Sequence, residues 1–425
     1  MLHQKRDYHA NMLKLKTVRK QNAKNKRVLV RVDFNVPLDK KGDSIVVRDD
    51  RRLRAALPTI RLLQASRAKI ILISHLGRPN GTITPELSLK PIAQYLREKL
   101  DLPVTFSTNY DNPPIANIVL LENLRFYPGE TANDTAFAKK LASLANMYVN
   151  EAFSNSHREH ASMVGVGKYL PSFAGLALTE EVRMLANLIS KPKRPFVVVL
   201  GGAKISDKVG ALTNLARIAD LVLIGGAIAN NFLSAEGFEI YRSFVEEANK
   251  KDVGDYVQLA NQLIQEHKTE KVLKDSYVPL PKLLYPIDVV AAPTLDTSNT
   301  EMIKIIDLSH DMEDKPEKTK LQYLDIGPKT RKLYSELLTG AGTIFWNGPM
   351  GVWENPLFAI GTKAIAQAIT TSRATTVLGG GDTIAAAHHF HAEHKFSYIS
   401  AAGGAALKFL GGEQLPGLKL LTIPS

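Results

Sequence analysis

Short runs of β-branched and apolar residues alternate along this chain with longer amphipathic stretches, the pattern of parallel sheets assembled from strand–helix units. In the first half the strand-like runs are 27–34, 69–76, 118–124, 147–153 and 174–178. In the second half they are 196–200, 221–224, 287–291, 343–346, 375–378 and 396–399. Helical periodicity fills 49–66, 89–100, 135–146, 207–219 and 355–371. Residues 178–190 read as a helix running into Lys191-Pro192-Lys193-Arg194-Pro195, whose prolines end it and restart the chain at a new strand. The pattern predicts an α/β protein of two Rossmann-like lobes, each a mostly parallel sheet flanked by helices, joined by a hinge helix. The lobes are expected at 1–190 and 191–405.

Ligands of open α/β sheets bind beyond the carboxyl ends of the strands, so the residues that follow each strand carry the functional signal. In the first lobe these are polar and basic: Asp33 and Asn35, His75 and Arg78, Arg125, then His157 and Arg158, with Arg52 on the helix after the first strand. In the second lobe they are glycine-rich: Gly201-Gly202-Ala203-Lys204, Gly225-Gly226, Asn347-Gly348-Pro349-Met350-Gly351, Gly379-Gly380-Gly381-Asp382 and Gly403-Gly404. The two lobes therefore bind chemically different ligands.

Composition narrows the field. A length of 425 residues calls for two or three domains, and 44 % hydrophobic with 23 % charged residues is ordinary for a globular chain. The absence of cysteine excludes disulfides, thiolate metal sites and a cysteine nucleophile. No run approaches the roughly 20 apolar residues of a membrane span, so a cytoplasmic protein is expected. The net charge of +12 resides in residues 1–190, with 29 basic against 17 acidic residues, while 191–425 hold 25 of each. Residues 1–31 alone carry ten bases and one acid, Asp7. The basicity is mainly a property of the N-terminal arm; residues 1–11 read as a flexible extension, and Met12 is a plausible start of its own.

Glycines between a strand and a helix let the backbone approach a ligand and leave helix N-terminal N–H groups facing it, which favours phosphate. The chain contains neither a Walker-type G-x-x-x-x-G-K-[ST] nor a G-x-G-x-x-G followed by an acid, so an ordinary nucleotide fingerprint does not apply. A phosphate-binding lysine is then Lys204 or Lys208, placed i and i+4 at a helix start. Asp382 suits either a hard cation such as Mg2+ or a helix N-cap. Arginine binds carboxylate and phosphate by paired hydrogen bonds, so Arg52, Arg78, Arg125 and Arg158 with His75 and His157 describe a dianion site, where Asp33 and Asn35 orient hydroxyls. The histidine-rich stretch 388–394 lacks H-E-x-x-H spacing and reads as a solvated helix end.

Six segments in order, from about Lys26 to the C-terminus, resemble phosphoglycerate kinase: Val32–Pro37, His75–Pro79, Glu122–Phe126, Gly201–Val209, Trp346–Gly351 and Gly379–Thr383. The resemblance implies an N-lobe that binds 3-phosphoglycerate or 1,3-bisphosphoglycerate through Asp33, Asn35, Arg52, His75, Arg78, Arg125 and Arg158. It implies a C-lobe that binds MgATP or MgADP through Lys204, Lys208, Asn347, Glu354, Gly380, Gly381, Asp382 and Thr383, with Glu354 at the ribose and Asp382 at the metal. Residues 406–425 are expected to return to the N-lobe. Two segments depart from the family pattern. Glu151-Ala152-Phe153-Ser154-Asn155-Ser156-His157-Arg158 begins with Glu where Asp is usual, and Ala401-Ala402 replaces a Thr-Gly pair before Gly403 and Gly404.

The expected chemistry is in-line phosphoryl transfer between a carboxylate and ADP, with Arg52, Lys204, the Mg2+ at Asp382 and the helix starts at Gly381 and Gly404 sharing the transition-state charge. The carboxylate nucleophile is ionised already, so no general base is required. Closure of the lobes would exclude water. Two rival classes fit worse: a nicotinamide dehydrogenase lacks its fingerprint, and a nucleic-acid binder would need aromatic-interleaved basic patches that the neutral second lobe does not offer. The expected partners are small-molecule substrates only, with no membrane, no nucleic acid, and a monomeric state.

Overall fold

The computed structural model describes residues 14–42, 44–246, 255–268, 270–271, 280–308 and 319–423. The expectations for residues 1–11 and Met12 lie outside the described residues. The chain forms two compact units, one from the described residues up to Ala186 together with those from Gln414 onward, the other from the described residues of 187–413.

The first unit is built on a six-stranded parallel sheet in the order Thr105–Ser107, Ile118–Leu121, Lys69–Ile73, Arg27–Arg31, Met147–Asn150, Ser172–Ala174. Side chains alternate faces along a strand. Val28 and Val30 accordingly join the cluster under helices Arg51–Ala65 and Lys90–Lys99, while Leu29 joins the opposite cluster with Leu141 and Tyr148. Arg31 shares the parity of Leu29, and it is fully buried. The run at 174–178, expected as a strand, is corrected: the strand ends at Ala174 and helix Leu176–Ser190 begins after Gly175. A short buried apolar run fits either element, and here Leu178, Val182 and Leu185 form the apolar stripe of a helix.

The second unit has its own six-stranded parallel sheet, ordered Leu283–Leu284, Leu221–Ile224, Phe196–Leu200, Thr343–Asn347, Thr375–Gly379, Tyr398–Ser400. The run at 287–291 forms a strand, Asp288–Ala292, but in a separate antiparallel sheet between Lys304–Asp307 and Gln322–Ile326. Composition could not assign it to a sheet, because a fully buried strand reads the same in either. Residues 406–413 stay with the second unit. Helix Gly404–Leu410 packs on helix Val209–Ile218, where Asn214 Nδ2 donates to Leu410 O at 2.5 Å and the Gly411 backbone lies against Gly210.

The chain from Gln414 is bound into the first unit by backbone and by core. Gly417 N donates to Ser156 O at 2.8 Å and Lys16 N donates to Leu421 O at 2.7 Å, while Leu415, Leu418 and Leu421 are buried. Leu418→Ala should therefore destabilise the first unit by about 2–5 kcal/mol and leave the second unit's unfolding unchanged. Differential scanning calorimetry resolving the two transitions checks this, and an equal shift in both would contradict the assignment.

Candidate active site

The carboxyl edge of the first sheet gathers most of the predicted basic residues around His75. This imidazole is almost wholly buried, and Arg31 Nη2 lies 3.1 Å from its Nδ1. A guanidinium can only donate, so Nδ1 accepts and the ring carries its proton on Nε2. Burial, followed by the charges of Arg31, Arg125, Arg52 and Arg158, holds the His75 pKa well below its ordinary value. His75 is thus a neutral Nε2–H donor among four cations.

Each arginine is held differently. Arg52, in the first turn of helix Arg51–Ala65, pairs with Asp33 at 2.9 Å and donates to Asn35 O at 2.9 Å. Asp33 also accepts from Ser154 Oγ at 2.5 Å, and Asn35 Oδ1 accepts from Gly77 N at 3.0 Å, so both polar residues brace the strand ends. Arg125 donates to Gly77 O at 2.6 Å, while its Nε is buried without a hydrogen-bond partner. Burial and then the neighbouring Arg158, Arg31 and Arg78 lower its pKa to about 10. Among the described residues Arg78, Arg125 and Arg158 have no ion-pair partner. His157 is half-buried beside Arg158. An edge with this uncompensated positive charge is suited to a dianion.

Sequence reasoning missed the layer beneath. Arg31 Nε donates to Ser162 Oγ at 2.9 Å, and Ser162 gives both its N–H, at 3.0 Å, and its hydroxyl, at 2.7 Å, to the fully buried Glu130. Burial pushes the Glu130 carboxyl up, but the bond from His160, the charge of Arg31 and the two Ser162 bonds outweigh it and hold its pKa below the usual range. The available signal was Arg31 itself, a charge inside the apolar run 28–32.

In the second unit the glycine loops divide into two kinds. The loops at 201–202, 225–226 and 348–351 pack backbone against backbone: Gly201 N donates to Asn347 O at 2.9 Å, Gly202 N to Pro349 O at 2.8 Å and Gly226 N to Met350 O at 3.0 Å. A side chain on Gly348, whose φ is 97°, would strike the Gly201 carbonyl. These glycines serve the contact between loops, not a ligand directly. Gly381, Gly403 and Gly404, by contrast, border open space. Gly380 has φ 92° and precedes the first turn of helix Gly381–His389. Ala402 stays out of the left-handed region and Gly403 has φ 52°, so the two alanines leave the turn to the glycine.

A cleft of about 430 Å3 opens beside these loops. Its walls include Gly202, Gly226, Trp353, Glu354 and Asp382, all contributed by the second unit. Asp382 is exposed in the first turn of its helix and makes no cap hydrogen bond, so the N-cap role is not realised. Lys204 is exposed in the loop, not on a helix face, because the helix starts only at Val209; Lys208 is its N-cap residue. Burial lowers the Lys208 pKa, while Asp207, Asp382 and Glu246 oppose this, and its Nζ comes within 3.4 Å of where a side chain on Gly202 would begin. The Thr383 hydroxyl accepts from Gly348 N at 2.6 Å, and Asn347 lies against Gly380. Among the described residues no group of three or more His, Asp or Glu side chains could hold a metal ion. Asp382, which shares the cleft with Glu354 and the buried Asp325, suits Mg2+ that arrives with phosphate oxygens, since Mg2+ commonly binds one or two carboxylates plus substrate phosphates. In the histidine-rich stretch, His388 bonds Glu393 at 2.8 Å and His389 rests on Trp353 with centroids 5.7 Å apart, nearer the cleft than its position in the chain implied.

The far wall of the cleft, missed in the sequence, is the antiparallel strand Gln322–Ile326. Its Asp325 is buried, accepts from Gly361 N at 2.6 Å and Ile326 N at 2.9 Å, and has its pKa raised by burial to about 7. The folded state therefore keeps this proton to a higher pH than the unfolded chain. The resulting stability is complete below about pH 4 and is lost as pH rises through 7, by up to on the order of 4 kcal/mol. Asp325→Asn cannot ionise, so wild type should lose stability relative to it between pH 5 and 8. Denaturant unfolding of both proteins across that range measures the difference, and parallel curves would show the carboxyl ionised throughout.

Comparison with known proteins agrees with this geometry. The sequence model of a family described as phosphoglycerate kinase matches residues 18–413. The phosphoglycerate kinase of Pseudothermotoga lettingae is 42 % identical over 416 residues, covering 96 % of this chain and 98 % of that one. The protein of the same name from Dictyoglomus turgidum is 44 % identical over 414 residues, with 95 % and 97 % covered. Among solved structures, the phosphoglycerate kinase of Coxiella burnetii superposes with a TM-score of 0.78 at 37 % identity, covering 94 % of this chain and 97 % of that one. The enzyme of that name from Pyrococcus horikoshii gives 0.75 at 34 %, with 94 % and 96 % covered. The matched residues span both sheets, and the chain belongs to the phosphoglycerate kinase family.

Proposed function

We propose that the chain catalyses reversible transfer of the acyl phosphate of 1,3-bisphosphoglycerate to ADP, giving 3-phosphoglycerate and ATP, with the acid on the first unit and the nucleotide on the second. The observation that carries this reading is the contrast between the two strand-end edges. One has uncompensated arginines around a neutral histidine, and the other has open glycine turns beside a cleft bordered by Asp382 at a helix start. Arg78, Arg125 and Arg158 bind the anionic groups of the acid, His75 donates through Nε2, and Asp33 and Asn35 orient its hydroxyl and fix the first turn of the Arg52 helix. On the nucleotide side Asn347 and Thr383 shape the turn, Glu354 faces the ribose, and Lys204 and Lys208 meet the phosphates. Asp382 holds the Mg2+ of the nucleotide substrate, which neutralises phosphate charge.

In the forward direction a β-phosphate oxygen of ADP forms the new bond to phosphorus as the bond to the carboxyl oxygen breaks, and the carboxylate leaves with the electron pair. No proton is transferred. The protein's contribution is alignment and charge, supplied by Arg52, Lys204 and the N–H groups of Gly380, Gly381 and Gly404. Because the acid groups and nucleotide groups belong to different units, transfer requires hinge closure, which also excludes water. A monomer in the cytoplasm completes the reading; no helix among the described residues is long and apolar enough to cross a membrane.

A coupled assay for ADP formed from ATP only in the presence of 3-phosphoglycerate tests the reaction; ATP consumption independent of the acid would overturn it. In that assay Arg52→Ala should keep the fold and the MgATP affinity but lower kcat by at least about 100-fold, because its charge acts mainly on the transition state. Arg52→Lys should recover only part, lacking the planar fork. Asp382→Asn should weaken MgADP binding by at least about tenfold and leave 3-phosphoglycerate binding within about twofold. Calorimetry with each ligand separately reads this out, and equal losses for both would make Asp382 structural.

A further inference from the structure

Glu151, directly after strand Met147–Asn150, is a buried carboxylate that the transfer chemistry does not use. Its Oε1 accepts from Thr59 Oγ1 at 2.6 Å and from Ala177 N at 3.1 Å, and its Oε2 accepts from Leu178 N at 3.4 Å. Thr59 Oγ1 in turn accepts from Leu176 N at 2.8 Å. The first three N–H groups of helix Leu176–Ser190, which no carbonyl within the helix can satisfy, are thus all taken by this one pair of side chains. A local N-cap would tie the helix end only to itself. Here the preceding residue is Gly175, where a side chain would overlap the Glu151 carboxylate, and the cap comes from two other elements.

Those two elements matter for function. Thr59 is fully buried in helix Arg51–Ala65, about two turns after Arg52 and on the same face. Helix Leu176–Ser190 begins in the first unit, and its residues from Asn187 cluster with the second. The Glu151–Thr59 pair is therefore where the helix that passes between the units is fastened to the helix that carries Arg52.

We propose that Glu151 is a positioning residue for phosphoryl transfer, which through Thr59 fixes the orientation of the Arg52 helix relative to the connecting helix. The proposal rests on the role given to Arg52 above. It predicts a loss in the chemical step with little change in substrate binding, since neither Glu151 nor Thr59 reaches a ligand.

The test compares wild type with Glu151→Gln, Thr59→Val and the double variant, measuring kcat, both KM values and thermal stability. Glu151→Gln should lower kcat about five- to twentyfold and leave KM for 3-phosphoglycerate and ATP within about twofold. Thr59→Val should lower kcat at least threefold, and the double variant should fall no more than about twofold below Glu151→Gln, because the two act as one unit. A folded Glu151→Gln enzyme with kcat within twofold of wild type would overturn the proposal, as would multiplicative losses or an effect confined to KM. Should Glu151→Gln not fold, Thr59→Val decides alone, with unchanged kcat as the refuting result. Wild type inactive with 3-phosphoglycerate would instead overturn the functional reading and take this proposal with it.

Discussion

Parallel pairing forces the carboxyl ends of all strands in a sheet to one edge, and everything functional in this protein depends on that constraint. In the first unit the edge collects side chains spread over more than a hundred residues of chain, Asp33, His75, Arg125 and Arg158, without any of them being close in the chain. In the second it collects glycine turns. Helices that follow strands present their N-terminal N–H groups toward the same edge.

The basic edge also has to be assembled without repelling itself apart. Cations within a few ångströms of one another raise the energy of the empty site, and the protein relieves this in three ways. Arg52 is matched by Asp33, Arg31 is matched from below by Glu130 through Ser162, and His75 is neutral. Among the described residues, Arg78, Arg125 and Arg158 carry charge that no acidic side chain pairs.

The second unit solves a different problem, a close approach between neighbouring loops. Gly201, Gly226 and Gly348 let three strand-end turns touch through their main chains, and this stacking sets the floor of the cleft. Gly381, Gly403 and Gly404, by contrast, border open space. The same residue type therefore does two jobs in one lobe, and sequence motifs such as Gly-Gly-Ala or Gly-Gly-Gly-Asp do not distinguish them.

The sequence alone determined the two α/β lobes, the existence of parallel strands within the runs 27–34, 69–76, 118–124, 147–153, 196–200, 221–224, 343–346, 375–378 and 396–399, though not their ends, and the polar character of one set of strand ends against the glycine character of the other. It could do so because strand and helix periodicity are local properties and strand ends are adjacent to strands. Tertiary structure decided what depends on partners distant in the chain. It put the buried run at 174–178 into a helix and Asp288–Ala292 into an antiparallel sheet, and it moved Lys204 off a helix face into a loop. It set Glu130 and Ser162 beneath Arg31, supplied the cleft wall at 322–326, and gave the N-terminus of helix Leu176–Ser190 to Glu151 and Thr59. The physical reason is the same in each case: a buried polar group or apolar run is satisfied by whatever the fold brings next to it, and that neighbour is not encoded in the residues alongside.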